Sequence, residues 1–204
     1  MVKYKITLEY DGTGYRGWQA QKNARSIQET LIVAATEVFG ATVDVQGAGR
    51  TDAGVHALGQ VAHIAAPRKM AAEKILYGLN DRLPATINVL RVAEARPDFH
   101  ARHDARRRAY VYIISRFRTA FAKRYVWWIK DDLNVGKMAA AAGAFIGLHD
   151  FASFADQRMD RNTSTKCLLD HVGIAETGNW IALTVSGSHF LWKMNFLYDF
   201  INKI

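Results

Sequence analysis

The sequence has 204 residues, of which 50% are hydrophobic and 23% are charged, and it carries a formal net charge of +8. This composition excludes a disordered chain, and the single cysteine, Cys167, excludes an internal disulfide and a cysteine-rich metal site. No apolar run approaches the roughly 20 residues that a membrane helix needs, and the amino-terminal residues show no leader peptide. We therefore expect a globular protein of the reducing cytoplasm, with no membrane association.

The first half of the chain predicts the element order β-α-β-β-α-β. Residues 3–10 alternate between apolar and polar side chains, which is the pattern of a half-buried strand. Ser26 and Glu29 form a capping box at the start of a helix, and Gly40 ends that helix. Further along, the patterns predict strands at 42–46 and 60–66, a helix at 70–81 and a strand at 87–92. This order is that of a ferredoxin-like fold.

The second half predicts the same order without its last strand. The patterns indicate a strand at 106–116, an alanine-rich helix at 134–146, a hairpin that turns at 177–179 and a helix at 190–201. We therefore predict an α+β fold of two ferredoxin-like β-α-β-β-α-β halves packed around a mixed or antiparallel sheet, the second half lacking its last strand. The two halves divide the chain into residues 1–100 and residues 101–204.

Positive charge is concentrated between residues 102 and 124, which we call the basic segment. Aromatic side chains, among them Tyr110 and Phe121, lie between the cations. Arginine neutralises phosphate and aromatic rings stack on bases, so this mixture favours an RNA or single-stranded partner. A solvated strand face beside a core face is the alternative interpretation, and it stays open. The cations are Arg102, Arg106, Arg107, Arg108, Arg116, Arg118, Lys123 and Arg124, and Asp104 alone opposes them.

Residues 47–60, GAGRTDAGVHALGQ, form a glycine-rich stretch between two predicted strands. The stretch lacks the lysine and the serine or threonine of a P-loop, so a phosphate cradle is disfavoured. A long hairpin loop would explain the glycines through positive φ angles, but it does not explain Arg50, Thr51 and Asp52 at the apex. An arginine favours the ionised form of a neighbouring carboxyl group, and an ionised aspartate can act as a base or a nucleophile.

The run GRTDAGVHALGQV within this stretch closely resembles the catalytic motif of the TruA family of tRNA pseudouridine synthases. Six further stretches resemble that family in the same order along the chain. They are YDGTGYRGWQAQ at 10–21, SIQETL at 26–31, GLNDRLP at 78–84, DFHAR at 98–102, AYVYII at 109–114 and GLHDFASF at 147–154. The resemblance covers residues 1–194 and implies the pseudouridine synthase fold.

The resemblance implies an isomerase that converts uridine to pseudouridine in the anticodon stem-loop of tRNA, at positions 38–40, as a homodimer with no cofactor and no metal. By motif position, Asp52 is the catalytic aspartate, acting at the ribose or at its C2′ proton. Arg50 helps to hold the target nucleotide out of its stack, and Tyr110 is the active-site tyrosine that stacks on the flipped base and is a candidate for handling its C5 proton. The residues expected to contact the RNA are Arg50, His56, Arg102, Arg106, Arg107 and Arg108.

Three other features also have structural interpretations. His100 and His103 are spaced like a pair of metal ligands, but no third ligand is evident, so capping or RNA contact is favoured. Packing or hydrogen bonding alone would also account for His56 in the glycine-rich stretch. Cys167, in a predicted strand, is interpreted as a small core residue.

After Met194 the sequence departs from the family. The position of the family arginine that pairs with the catalytic aspartate is occupied by Phe196, and the last strand of the second half is missing from the pattern. The missing strand is expected to leave a sheet edge bare. Two interpretations of function therefore stay open. One is an active RNA isomerase, and the other is a tRNA-binding protein without turnover, either a catalytically impaired paralogue or an incomplete chain.

Overall fold

The computed structural model describes residues 1–154, 164–191 and 194. The chain forms two compact units, Met1–Ala105 and Arg106–Ile204. Within the described residues there are three α-helices and two β-sheets, one sheet in each unit. The α+β class predicted from the sequence is therefore confirmed. No helix in the described part of the chain is long and apolar enough to span a membrane.

The first unit contains a four-stranded antiparallel sheet with the spatial order β2-β3-β1-β4. Its strands are β1 (Val2–Tyr10), β2 (Asp44–Gly47), β3 (Ala57–Ala66) and β4 (Ile87–Ala95), and its helices are α1 (Ile27–Phe39) and α2 (Ala72–Asn80). The order along the chain is the predicted β-α-β-β-α-β. The third strand begins at Ala57 rather than at residue 60, so part of the glycine-rich stretch belongs to the sheet.

One face of β1 and one face of α1 build the core of the first unit. Tyr4, Ile6 and Leu8 alternate along β1 and are fully buried, and Leu31 and Phe39 of α1 belong to the same apolar cluster. Full burial of such a side chain contributes about 1.5–3 kcal/mol. The predicted half-buried strand is therefore confirmed, and the packed sheet gives the loops at its end a rigid base.

The limits of α1 follow the predicted capping signals. The Ser26 Oγ accepts a hydrogen bond from the Glu29 N–H at 3.2 Å, which satisfies one of the free amides of the first turn. Gly40 ends the helix in the left-handed conformation with φ of 62°, which costs a glycine little. These local signals place the start of α1 directly after the loop that follows β1.

The second unit contains a five-stranded mixed sheet with the spatial order β6-β5-β9-β8-β7. Its strands are β5 (Arg108–Ser115), β6 (Trp127–Trp128), β7 (Gly147–Asp150), β8 (Lys166–Thr177) and β9 (Trp180–Gly187), and its helix is α3 (Val135–Gly143). The strands β8 and β9 form the predicted hairpin, which turns at Gly178 with φ of 56°. The pair β5–β6 is parallel, and the other pairs are antiparallel.

Two strands of the second unit, β6 with two residues and β7 with four, were not predicted, because neither shows a recognisable alternation of apolar and polar side chains. The first of them pairs with Ile114 and Ser115 of β5. Among the described residues, no strand pairs with the remainder of that edge of β5. Phe196 and most of the predicted helix at 190–201 lie outside the described residues.

A cluster of histidines holds the segment after β4 against the sheet. His63 of β3 is buried, and its Nδ1 accepts a hydrogen bond from the Ala101 N–H at 3.2 Å. The His100 ring lies 4.9 Å from the His63 ring, and its Nδ1 accepts the Arg102 N–H at 3.2 Å. An imidazole nitrogen accepts a hydrogen bond only when it carries no proton. The capping interpretation of His100 therefore agrees with the structure.

The folded arrangement of this cluster disfavours protonation of His63 and His100. Burial lowers the pKa of His63, the positive charges of His100 and Lys3 lower it further, and Asp44 raises it. Burial also lowers the pKa of His100; His103, Lys3 and Arg102 add to this effect and Asp104 opposes it. The folded state thus resists taking up protons that the unfolded state binds freely below the ordinary histidine pKa of about 6.5.

We expect the free energy of unfolding to fall as the pH drops below about 6.5, and to be fully present above that value. The glutamine of His63→Gln keeps a hydrogen-bond acceptor but does not titrate, so this variant should show a flatter pH dependence even if it is less stable overall. Urea unfolding of both proteins between about pH 7.5 and pH 5 measures the two slopes. Identical slopes would show that His63 does not contribute to the pH dependence.

Candidate active site

Two loops meet at one end of the first sheet. The first loop (residues 11–25) follows β1, and the motif loop (residues 48–56) joins β2 to β3. In the antiparallel pairing of β1 with β3, Tyr10 lies opposite Ala57, so the end of one strand adjoins the start of the other. The sheet register therefore brings together two loops that are separated in sequence by a helix and a strand.

Thr51 anchors the apex of the motif loop through its main chain and its side chain. The Thr51 carbonyl oxygen accepts the Trp18 N–H at 2.9 Å, and its Oγ1 lies 2.8 Å from the Tyr10 hydroxyl oxygen. A further hydrogen bond of 3.3 Å runs from the Gly54 N–H to the Tyr15 carbonyl oxygen. Both loops are thus held by the rigid sheet and by each other, which is the support that a precise site requires.

Close backbone approach between the two loops requires glycine at two positions. A Cβ atom on Gly12 would collide with the Val55 carbonyl oxygen and lie 2.6 Å from the carbonyl carbon. A Cβ atom on Gly17 would collide with the Thr51 carbonyl oxygen, and Gly17 also has φ of 90°. The sequence identified the glycine-rich character of this region, but only the structure shows which glycines are in contact.

The prediction of positive φ angles for the glycines of the motif stretch is correct only for Gly54, whose φ is 79°. Gly47, Gly49 and Gly59 have ordinary negative or extended backbone angles. Gly47 is required for a different reason, because a Cβ atom there would lie 2.6 Å from the Trp18 ring. Close packing of the first loop against the end of β2, rather than unusual backbone conformation, therefore explains that glycine.

His56 links the motif loop to the first loop. Its Nδ1 lies 3.0 Å from the Asp11 Oδ1 and 3.2 Å from the Gly12 nitrogen. The Asp11 Oδ1 also accepts the Thr13 N–H at 2.9 Å. The hydrogen-bonding interpretation of His56 thus agrees with the structure, and its expected contact with RNA stays a prediction.

The side chains on either side of Thr51, those of Arg50 and Asp52, are exposed. The anchored threonine lies between them, so the loop presents a guanidinium and a carboxylate to solvent from one rigid apex. Among the described residues no ion pair joins the two side chains, and the influence of Arg50 on Asp52 stays a prediction. The exposed carboxylate is accessible from solvent.

The other predicted site residues lie in the second unit or at its boundary. Tyr110, on β5, is 38% exposed, and its ring contacts the Phe190 ring edge-on at a centroid distance of 4.9 Å. Arg102 and Arg106 are exposed. The Arg107 guanidinium forms an ion pair with Asp170. Arg108 donates from its guanidinium to the Ser188 carbonyl oxygen at 2.9 Å.

Cys167 is fully buried in β8, as its core interpretation predicted. Its Sγ lies 3.3 Å from the His189 Nε2, a neighbour that no sequence pattern indicated across 22 residues. Burial raises the pKa of the Cys167 thiol, and the charge of Asp150 raises it further. The nucleophilic form of cysteine is the thiolate, so a thiol kept neutral in this way is a structural core group.

A family model described as tRNA pseudouridine synthase matches residues 6–104 and 141–194. The chain belongs to the tRNA pseudouridine synthase family. Both loops of the candidate site lie within the first matched range. Tyr110 and most of the basic segment lie between the two matched ranges, so their expected roles rest on the resemblance and on their chemistry.

Curated relatives of this tRNA pseudouridine synthase extend along most of the chain. A tRNA pseudouridine synthase A of Thermoanaerobacter sp. (strain X514) is 40% identical over 196 residues, which are 95% of this chain and 80% of the relative. The protein of the same name from Maricaulis maris is 41% identical over 95% of this chain and 78% of the relative. The Rhodospirillum rubrum protein is 40% identical over 94% of this chain and 69% of the relative. The chain is thus an isomerase of the tRNA pseudouridine synthase A type.

The arginine contacts of this tRNA pseudouridine synthase predict unequal contributions to RNA binding. Arg107→Ala should lower the salt dependence of tRNA binding by less than Arg106→Ala, because Asp170 already compensates the Arg107 charge. We expect Arg106→Ala to lower the slope by about one phosphate contact. Filter-binding titrations at several salt concentrations measure the slopes. Equal slopes for wild type and Arg106→Ala would identify this side chain as part of a solvated face.

Proposed function

We propose that this protein converts uridine to pseudouridine in the anticodon stem-loop of tRNA, at positions 38–40, with Asp52 as the catalytic carboxylate. The supporting observation is the motif loop, in which Thr51 is anchored by Trp18 and Tyr10 while Asp52 is exposed. An exposed loop that is fixed by its surroundings positions a reacting group without reorganisation at the moment of reaction. Family membership supports the proposed isomerisation. The geometry of the motif loop supports the assignment of Asp52 as the catalytic carboxylate.

The proposed reaction conserves all atoms of the nucleotide except one exchanged proton. The bond between C1′ and N1 of the uridine breaks, the base turns, and a bond forms between C1′ and C5. The C5 proton leaves to solvent and N1 gains a proton, so no oxidant or reductant is consumed. The Asp52 carboxylate acts either as nucleophile at C1′ or as base toward the C2′ proton. Each route requires an accessible carboxylate, which the exposed position of Asp52 provides.

The target uridine has to leave its stack before the carboxylate can reach the sugar, because an enzyme cannot reach that bond inside a helix. We assign Arg50 to holding the extruded nucleotide, since its exposed guanidinium adjoins Asp52 in sequence on the same anchored apex. We assign Tyr110 to stacking on the flipped base, since part of its ring is exposed on β5. Both assignments rest on the resemblance and on the accessibility of the side chains.

We further propose that the chain divides functionally into a half at 1–100, which carries the motif loop, and a half at 101–204, which carries the basic segment. Both halves are proposed to be ferredoxin-like, and the protein is proposed to act on tRNA in the cytoplasm as a homodimer. The element order of the first unit and the exposed arginines of the second support this division. Sedimentation of the purified protein with and without tRNA tests the dimer.

Mapping the modified positions tests the proposed function. A tRNA transcript with uridines at 38, 39 and 40 is incubated with the protein, treated with a carbodiimide and copied by reverse transcriptase. We expect stops that report pseudouridine at these positions, and no stops when the uridines are replaced by cytidines. Stops confined to another arm of the tRNA would contradict the assigned substrate.

A tRNA-binding protein without turnover is the second candidate, and the observation that favours it is Phe196 at the position of the family arginine. That candidate predicts tight binding of the same transcript and no stops at any position. The two candidates therefore differ in one measurable product, and binding alone does not separate them.

A further inference from the structure

The chain between β5 and α3 forms a compact structure with exposed aromatic rings. Hydrogen bonds from the Tyr125 and Val126 N–H groups to the Ala122 carbonyl oxygen, at 2.8 and 3.1 Å, close a turn. The chain then enters β6, where Trp127 and Trp128 pair with the end of β5. Ile129, directly after them, is buried in the core of the second unit. The two tryptophans are therefore fixed in place although they are 41% and 43% exposed.

A cleft of about 510 Å³ opens beside one of these tryptophans. Its lining residues are Arg118, Thr119, Ala120, Lys123, Val126 and Trp128. The Arg118 guanidinium carbon lies 6.0 Å from the centre of the Trp128 ring, within the range of a cation–π interaction. The cleft volume of about 510 Å³ lies within the range of ligand pockets in proteins. The cleft thus combines one aromatic wall with two cations.

The charges around the cleft identify the chemistry of its occupant. No acidic residue lines the cleft, and the run from Arg116 to Trp128 contains four basic residues and no acidic one. A second copy of this chain, with net charge +8, would bring like charge to the same surface. A nucleotide offers a flat base for the tryptophan and a phosphate for the cations, which is how proteins bind unpaired nucleotides without reading their sequence.

We propose that the cleft between Arg118 and Trp128 binds an unpaired nucleotide of the tRNA, its base stacked on Trp128 and its phosphate near Arg118 and Lys123. This inference rests on the proposed function, because it takes tRNA as the partner. It adds an anchoring site within the second unit, whereas Asp52 belongs to the first unit. The site contributes affinity and holds the RNA, and it takes no part in bond cleavage.

Two tryptophans in one strand provide a matched test. Trp127 and Trp128 are almost equally exposed, but only Trp128 lines the cleft, since successive side chains of a strand point to opposite faces. We expect Trp128→Ala to weaken tRNA binding by about tenfold, the scale of losing one stacked base. Trp128→Phe, which keeps a ring, and Trp127→Ala should stay within about threefold of wild type. Filter binding measures affinity, and thermal melts show that each variant is folded.

A charge variant that leaves the core untouched makes a second test. Lys123 is exposed and lines the cleft, whereas Lys130 is exposed and lies outside the cleft. We expect Lys123→Ala to reduce the salt slope of tRNA binding by about one, and Lys130→Ala to leave it unchanged.

Equal losses of affinity in Trp127→Ala and Trp128→Ala, or wild-type affinity in both, would overturn the proposed site. A dimer that dissociates on Trp128→Ala in sedimentation would also overturn it, by identifying the cleft as a contact between copies. If wild type binds tRNA without forming pseudouridine, the proposed function fails, and the affinity comparison still decides the cleft.

Discussion

Replacement of Asp52 by asparagine is expected to lower pseudouridine formation by at least about a thousandfold while tRNA affinity changes by only a few-fold. Asparagine has nearly the same shape but can neither attack C1′ nor accept the C2′ proton. The Asp52 side chain is exposed and lies on a loop that Thr51 anchors, so the substitution should leave the fold intact. Removing one negative charge from a site that meets RNA should not weaken binding.

Tritium release from tRNA labelled at C5 of uridine, measured in single turnover, gives the rate, and filter binding gives the affinity. Asp131→Asn is the matched control, because Asp131 is also exposed but lies outside both loops of the candidate site. We expect this control to turn over at the wild-type rate. Near-wild-type release by Asp52→Asn would show that another group performs the chemistry.

Gly17→Ala is expected to lower turnover by at least about a hundredfold, because a small displacement of a reacting group can cost this much. The added Cβ would collide with the Thr51 carbonyl oxygen and lie 3.1 Å from the Asp52 carbonyl carbon. These are backbone atoms that cannot rotate away. The first loop would have to withdraw from the motif loop, and the hydrogen bond from the Trp18 N–H to Thr51 would be lost.

The Gly14→Ala variant is the control that distinguishes the effect of this collision from the effect of backbone strain. Gly14 has φ of 83°, close to the 90° of Gly17, but a Cβ atom on Gly14 would meet nothing within 4 Å. Alanine in this conformation costs about 1–2 kcal/mol at either position, so both variants should melt at lower temperature. We expect Gly14→Ala to keep its turnover within a few-fold of wild type. Equal turnover in the two variants would contradict the proposed role of close contact between the loops.

Local signals allowed the sequence to predict much of the first unit. The alternation at residues 3–10 and the capping signals at Ser26 and Gly40 correspond to β1 and to the limits of α1. Such patterns depend on neighbours in the chain, and single sequences carry them directly. The short strand β6 depends on pairing with β5, which leaves no pattern in two residues.

The contacts that position the candidate site could not be predicted either, because they also depend on residues that lie far apart in the chain. Thr51 is held by Tyr10 and Trp18, and His56 is held by Asp11, all distant in sequence. The motif indicated which residues matter, but the sheet register that brings the loops together follows from the fold. The pairing of Arg107 with Asp170 likewise changed the expected share of each arginine in RNA binding.

We propose that this chain catalyses the isomerisation and does not merely bind tRNA. The most direct measurement is multiple-turnover tritium release from tRNA labelled at C5 of its uridines, with substrate in excess over protein. We predict release well beyond one equivalent per protein molecule, lost when the uridines at positions 38–40 are replaced by cytidines. Stable tRNA binding with no release would contradict the claim and identify a tRNA-binding protein without turnover.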